Sequence, residues 1–163
     1  MENGIIDYFT LIFSNPVYTT IVISMLPVIE LRGAIPWAYF FGGLSLFEAA
    51  FYSIVGNFLM CIPIYLFFHF FTSFLRRYDF GVKWTDKLFN RTRKKGEVIN
   101  DKKLYGLILF VGIPLPATGA WTGTLAAYIF GLSLFKSMLG ALIGLLISAT
   151  IVCSLISMGM LIF

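Results

Sequence analysis

Charge is scarce in this 163-residue chain: 12% of its residues are Asp, Glu, Lys or Arg and 59% are hydrophobic, whereas soluble domains carry roughly 25% charged residues. With a mean hydropathy of +0.89, the composition excludes an ordinary soluble domain and indicates an integral membrane protein. Metal-binding and disulfide chemistry are poorly supplied. Cys61 and Cys153 stand in apolar runs without a CxxC partner, and His69 is the only histidine. No zinc site, disulfide framework or cofactor is therefore expected, and both cysteines read as packing residues. There is no nucleophile elbow and no HExxH motif, which argues against an enzyme. The opening "MENGIIDYF" has no Lys or Arg, so it lacks the basic start of a cleaved signal peptide, and the apolar segments are expected to remain in the mature protein.

What charge there is has been concentrated. Ten of the twelve basic residues fall between Arg76 and Lys103, the only long polar stretch, and the positive-inside rule makes this loop cytoplasmic. Confinement of the net charge of +4 to one juxtamembrane loop fits attraction to anionic lipid headgroups rather than to nucleic acid. Trp84, Leu88 and Phe89 among the lysines and arginines have the spacing of a short basic amphipathic helix at the interface, and a plain solvated loop fits as well.

The loop separates two hydrophobic halves that share a phrase. "GLSLF" occurs at residues 43–47 and again at 131–135, an offset of 88 at which Gly56 also matches Gly144 and Glu48 matches Lys136. A two-residue shift aligns "RGAIPW" (Arg32 to Trp37) with "TGAWTG" (Thr118 to Gly123), and together these matches indicate an internal repeat. Repeat 1 covers about 16–75 and repeat 2 about 104–163, flanking the basic loop 76–103 within one membrane domain, 1–163. The apolar runs from Leu46 to Leu75 and from Leu134 to Phe163 are long enough to span. Val17 to Leu26 and Leu104 to Ile113 are not, and each meets a Pro- and Gly-rich break. The expected fold is all-α and integral to the membrane: an inverted repeat, each half a re-entrant broken-helix hairpin followed by a long transmembrane helix. Prolines should block helix from Pro27 to Pro36 and from Pro114 onward. The hairpin tips are expected to meet near the midplane.

At these two breaks, "PVIELRGAIP" (Pro27 to Pro36) and "GIPLPATGAWTG" (Gly112 to Gly123), the sequence resembles the bacterial and archaeal family of small multidrug export proteins, over most of its length. By its paired re-entrant hairpins it also looks like the wider DedA-type membrane proteins, several of which are associated with flipping polyprenyl-phosphate or phospholipid carriers. The first resemblance implies a transporter in the plasma membrane; the second implies a flippase.

Ionisable groups within a membrane default to function, which puts Glu30 and Arg32 first as substrate- or proton-binding residues; a structural ion pair is the plainer reading. Thr118 and Thr122 offer hydroxyls, and Trp37 and Trp121 would line a pocket or fill space. Pro27, Gly33, Pro36, Pro114, Pro116 and Gly119 should shape the hairpins. Asn57 would hydrogen-bond across helices or pack, and His69 belongs at the cytoplasmic interface. Gly119/Gly123 and Gly140/Gly144 have GxxxG spacing, which suits close packing within one chain or in a homodimer. Three functions follow: a multi-pass exporter of a small amphiphilic or ionic substrate, a translocase of a lipid-linked phosphate, or a non-transporting membrane scaffold. The expected partners are a bilayer with anionic headgroups and a small-molecule or lipid-phosphate substrate.

Overall fold

Asn15 opens the first helix by accepting a hydrogen bond at Oδ1 from the Val17 N–H (2.9 Å), and Pro16 follows at the position where its missing N–H costs nothing. The computed structural model of the chain describes residues 14–77, 100–114 and 118–159. These form six helices: α1 (Pro16–Met25), α2 (Glu30–Phe40), α3 (Leu46–Leu75), α4 (Asn100–Gly112), α5 (Ala120–Ile129) and α6 (Leu134–Ser157). No strand occurs among the described residues. The order is the same twice over, two short helices joined by a break and then a long one. The proposed amphipathic segment around Trp84, Leu88 and Phe89 lies outside the described residues.

The repeated "GLSLF" makes the same joint both times. Gly43 (φ 68°) and Gly131 (φ 74°) take left-handed backbone after α2 and α5, a conformation that glycine adopts without a Cβ penalty. Two residues later a serine caps the long helix. Ser45 Oγ accepts from the Glu48 N–H (3.3 Å), and the Ser45 N–H donates to the Glu48 carboxylate (2.9 Å), a reciprocal capping box. Ser133 Oγ accepts from the Lys136 N–H (3.4 Å), but a lysine at that position has no acceptor with which to return the bond.

Two corrections apply to the breaks. Pro27 terminates α1, whose cap Leu26 is extended as the residue before a proline prefers. Pro36, by contrast, lies inside α2, so the non-helical stretch is confined to the turn before Glu30 and does not run on to Pro36. Pro36 is buried with Leu31, Ala34, Ile35 and Ala38, and burial of this apolar face offsets the hydrogen bond that its missing N–H cannot give to the Arg32 carbonyl. In the second half Trp121, Thr122 and Gly123 are likewise helical, within α5.

The contacts divide the chain into two compact units, Met1–Asn57 with Ser148–Phe163, and Phe58–Ile147. In the first, α1 packs on α2, and Gly56 of α3 lies against α1 so closely that an added Cβ would collide with Ser24 Oγ and the Ile21 carbonyl oxygen. In the second, α4 packs on α5. A Cβ on Gly144 of α6 would come within 2.6 Å of Val111 Cβ, and one on Gly140 within 2.7 Å of Leu107 Cδ2. The Gly140/Gly144 pair thus serves packing within this unit. Gly119/Gly123 is not a helix face, because Gly119 is extended and precedes α5. Cys61 is buried, Cys153 half-buried, and both are free thiols.

Leu46–Phe74 and Leu134–Ser157, 29 and 24 residues, extend roughly 43 and 36 Å at 1.5 Å per residue, more than a hydrocarbon core of about 30 Å. Only 22% of the most apolar window of α3 is buried inside the protein, and Phe47, Phe51, Phe67 and Phe70 stand exposed along it. A soluble-protein core helix would be covered. An apolar helix left uncovered on this scale suits lipid as its solvent, which suggests a membrane location.

Candidate functional site

The two charges of the "ELR" segment, Glu30 and Arg32, fall in the first turn of α2, directly after the break that follows α1. The Glu30 N–H donates to the Leu26 carbonyl (3.0 Å) and the Gly33 N–H to that of Ile29 (3.2 Å), which stitches the turn into the start of α2. A Cβ on Gly33 would collide with Ile29 Cγ2, so glycine is what lets that side chain fold back over the helix. Val28 is 92% exposed and Leu26 and Ile29 are also exposed, an apolar tip. Just behind it Glu30 is buried.

Residues two apart on a regular helix diverge. Glu30, however, has φ 49°, the one non-glycine residue with positive φ among those described. Its carboxylate nonetheless comes 3.9 Å from the Arg32 guanidinium. Left-handed backbone costs an L-residue about 1–2 kcal/mol, and such strain clusters at ligand sites and switches. The Glu30 side chain is 9% exposed and that of Arg32 22%. Trp37 lies half-buried further along α2.

The second break is neutral. Thr118 Oγ1 donates to the Ile113 carbonyl (3.0 Å), and the Gly119 N–H donates to Thr122 Oγ1 (3.2 Å). These hydroxyls bind the turn together and start α5. Pro114 and Trp121 are half-buried; Pro116 lies outside the described residues. Among the described residues no cluster of His, Cys, Asp and Glu could hold a metal ion.

A family model described as "Putative small multi-drug export protein" matches residues 30–151. The chain belongs to this small multi-drug export family. No curated protein and no solved structure matches it significantly. The family match begins at Glu30, takes in Arg32, α2, α3 and the second break, and ends within α6. Membership implies a transporter rather than an enzyme, a lipid environment and small-molecule substrates.

Sequence reasoning passed over the buried hydroxyls of this exporter-family chain. Ser53, four residues before Asn57 on α3, is fully buried with it in the first unit, as are Thr20 and Ser24 of α1, with Ser148 of α6 nearly so. Thr20 and Ser24 return their hydroxyl protons to the Pro16 and Ile21 carbonyls (2.6 and 2.7 Å). The Ser53 and Ser148 hydroxyls have no hydrogen-bond partner among the described residues. The Ser-x-x-Gly-Asn spacing on one face of an apolar helix was the available signal. In the second unit the Tyr65 hydroxyl donates to the Leu132 carbonyl (2.8 Å), Thr72 and Tyr128 share a hydrogen bond, and the exposed His69 ring stands edge-on to Tyr128.

Proposed function

We propose that the chain is a multi-pass plasma-membrane exporter of small amphiphilic or ionic substrates, with Glu30 and Arg32 handling substrate or protons at the first hairpin tip. The observation that carries this reading is a buried carboxylate, paired with arginine on strained backbone, at a break between two helices too short to cross a bilayer. Ionisable groups at membrane depth mark substrate and proton paths, and broken helices are a recurring way to build transport sites. Each short hairpin would dip into the membrane and return to its own face, and each would be followed by a spanning helix, the whole repeated with inverted orientation. The doubled element order and the two like Gly–Ser joints support this arrangement. Thr118 and Thr122 act in this reading through the shape of the second turn; Trp37 and Trp121 supply apolar contact.

The test is flux of labelled cationic drugs in proteoliposomes under an imposed pH gradient. Glu30→Gln should abolish pH-driven flux while the protein still folds. Unchanged flux in that variant would assign Glu30 to structure. A second reading, translocation of a lipid-linked phosphate, is favoured by the partial exposure of Arg32 beside the more deeply buried Glu30, since a guanidinium fork grips phosphate in a bidentate way. Polyprenyl phosphate in the same liposomes distinguishes the two.

A further inference from the structure

A cleft of about 450 Å³ runs beside α4 and α5 in the second unit, with an almost wholly apolar lining that includes Leu107, Phe110 and Phe130. Lys102 and Lys103 line one end of it, on the first turn of α4, and Phe110 lines it about two turns further along the same helix. Gly106 lies between them. Unlike Gly112, Gly123, Gly140 and Gly144, whose missing side chains admit a neighbour, Gly106 has open space where its Cβ would be. A glycine in a helix interior costs stability relative to alanine, and here no packing partner explains it. What its absent side chain preserves is the cleft.

The volume is that of a small-molecule site, and the chemistry is that of an amphiphile: an apolar wall with two lysines, Lys102 and Lys103, at the end where α4 begins. Cationic substrates are repelled at that end. The Lys103 ammonium donates to the Phe130 carbonyl at the C-terminal cap of α5 (2.9 Å), which fixes it in place and leaves its other two protons for a second acceptor. Lys102 is exposed beside it. We infer that this cleft is a resident lipid site, in which one acyl chain of an anionic phospholipid lies along Gly106 and Phe110 and its phosphate meets Lys102 and Lys103. The cleft belongs to the other unit from Glu30 and Arg32, and the inference does not depend on what is exported there.

The test uses the full chain in nanodiscs of equal phosphatidylglycerol and phosphatidylcholine, with lipids retained on release read by native mass spectrometry. The wild type should keep one phosphatidylglycerol in preference to phosphatidylcholine, by about fivefold for each lysine engaged. Gly106→Leu, which fills the cleft and suits the helix, should reduce that retention to the level of bulk lipid. Lys102→Gln should still hold one lipid but lose about fivefold of its headgroup preference. Added inorganic phosphate should not displace the lipid, because the acyl chain contributes most of the binding. Equal retention of both phospholipids by the wild type would overturn the inference without recourse to any variant. So would unchanged retention in Gly106→Leu, or displacement by free phosphate.

Discussion

Glu30 and Arg32 stand as a pair at the start of α2. Glu30 lies on left-handed backbone, and its buried carboxylate is 3.9 Å from the Arg32 guanidinium. Removing one member of such a pair leaves the other charge poorly solvated, whereas removing both does not. Arg32→Gln alone should therefore cost on the order of 1–3 kcal/mol, less than for a fully buried pair because Arg32 remains partly exposed. The Glu30→Gln/Arg32→Gln double variant should be milder, as a double-mutant cycle on melting temperature would register. Arg32→Lys keeps the charge and loses the planar fork. It should melt near the wild type yet lose roughly tenfold or more of its flux, the size of a lost charge-assisted hydrogen bond. Normal transport by the double variant would leave the two charges as a clasp for the hairpin tip.

At the level of the helices, the glycines sort by what their missing side chains admit. Gly56 and Gly144 occupy matching places in the repeat, and each brings its long helix against the first short helix of its half, α1 or α4. Alanine at either position meets stiff neighbours, backbone carbonyls and the Cβ of Val111, and overpacking of this kind costs roughly 1–3 kcal/mol. Gly140 faces the mobile ends of Leu104 and Leu107, so alanine there should be better tolerated. Gly106→Ala should stabilise by up to about 1 kcal/mol through helix propensity alone. Thermal melts of the four single variants in one detergent would test this order, and a Gly56→Ala or Gly144→Ala protein more stable than wild type would contradict it.

For the whole molecule, the charge distribution predicts the topology. Hairpins that return to their own face put residue 15 and the end of α6 on the outer side and the basic loop in the cytoplasm. With Cys61 and Cys153 replaced by alanine, Asn15→Cys and Phe163→Cys should react with an impermeant maleimide in intact cells. Lys94→Cys should react only after permeabilisation. Protection of position 15 in intact cells would mean that α1 and α2 do not form a re-entrant hairpin.

The apolar lengths of α3 and α6, the stop at Pro27 and the repetition of "GLSLF" were all legible in the sequence, because each rests on neighbours within a few residues: solvent preference, a missing N–H, a repeated phrase; the left-handed glycines and serine caps that the phrase makes emerged only from the fold. Pro36 was misjudged for the complementary reason. Local propensity counts its lost hydrogen bond, but only the folded chain supplies the buried face of α2 that offsets it. The candidate site was half legible: two charges in an apolar stretch mark Glu30 and Arg32, yet whether two side chains two residues apart converge is set by their conformations in the folded chain. Thr118 and Thr122 could be named as hydroxyls, but their commitment to the turn required the fold. The partners of Gly56, Gly123 and Gly144, and the vacancy beside Gly106, belong to the tertiary structure alone, since a glycine reads identically in sequence whether a helix fills the space next to it or nothing does.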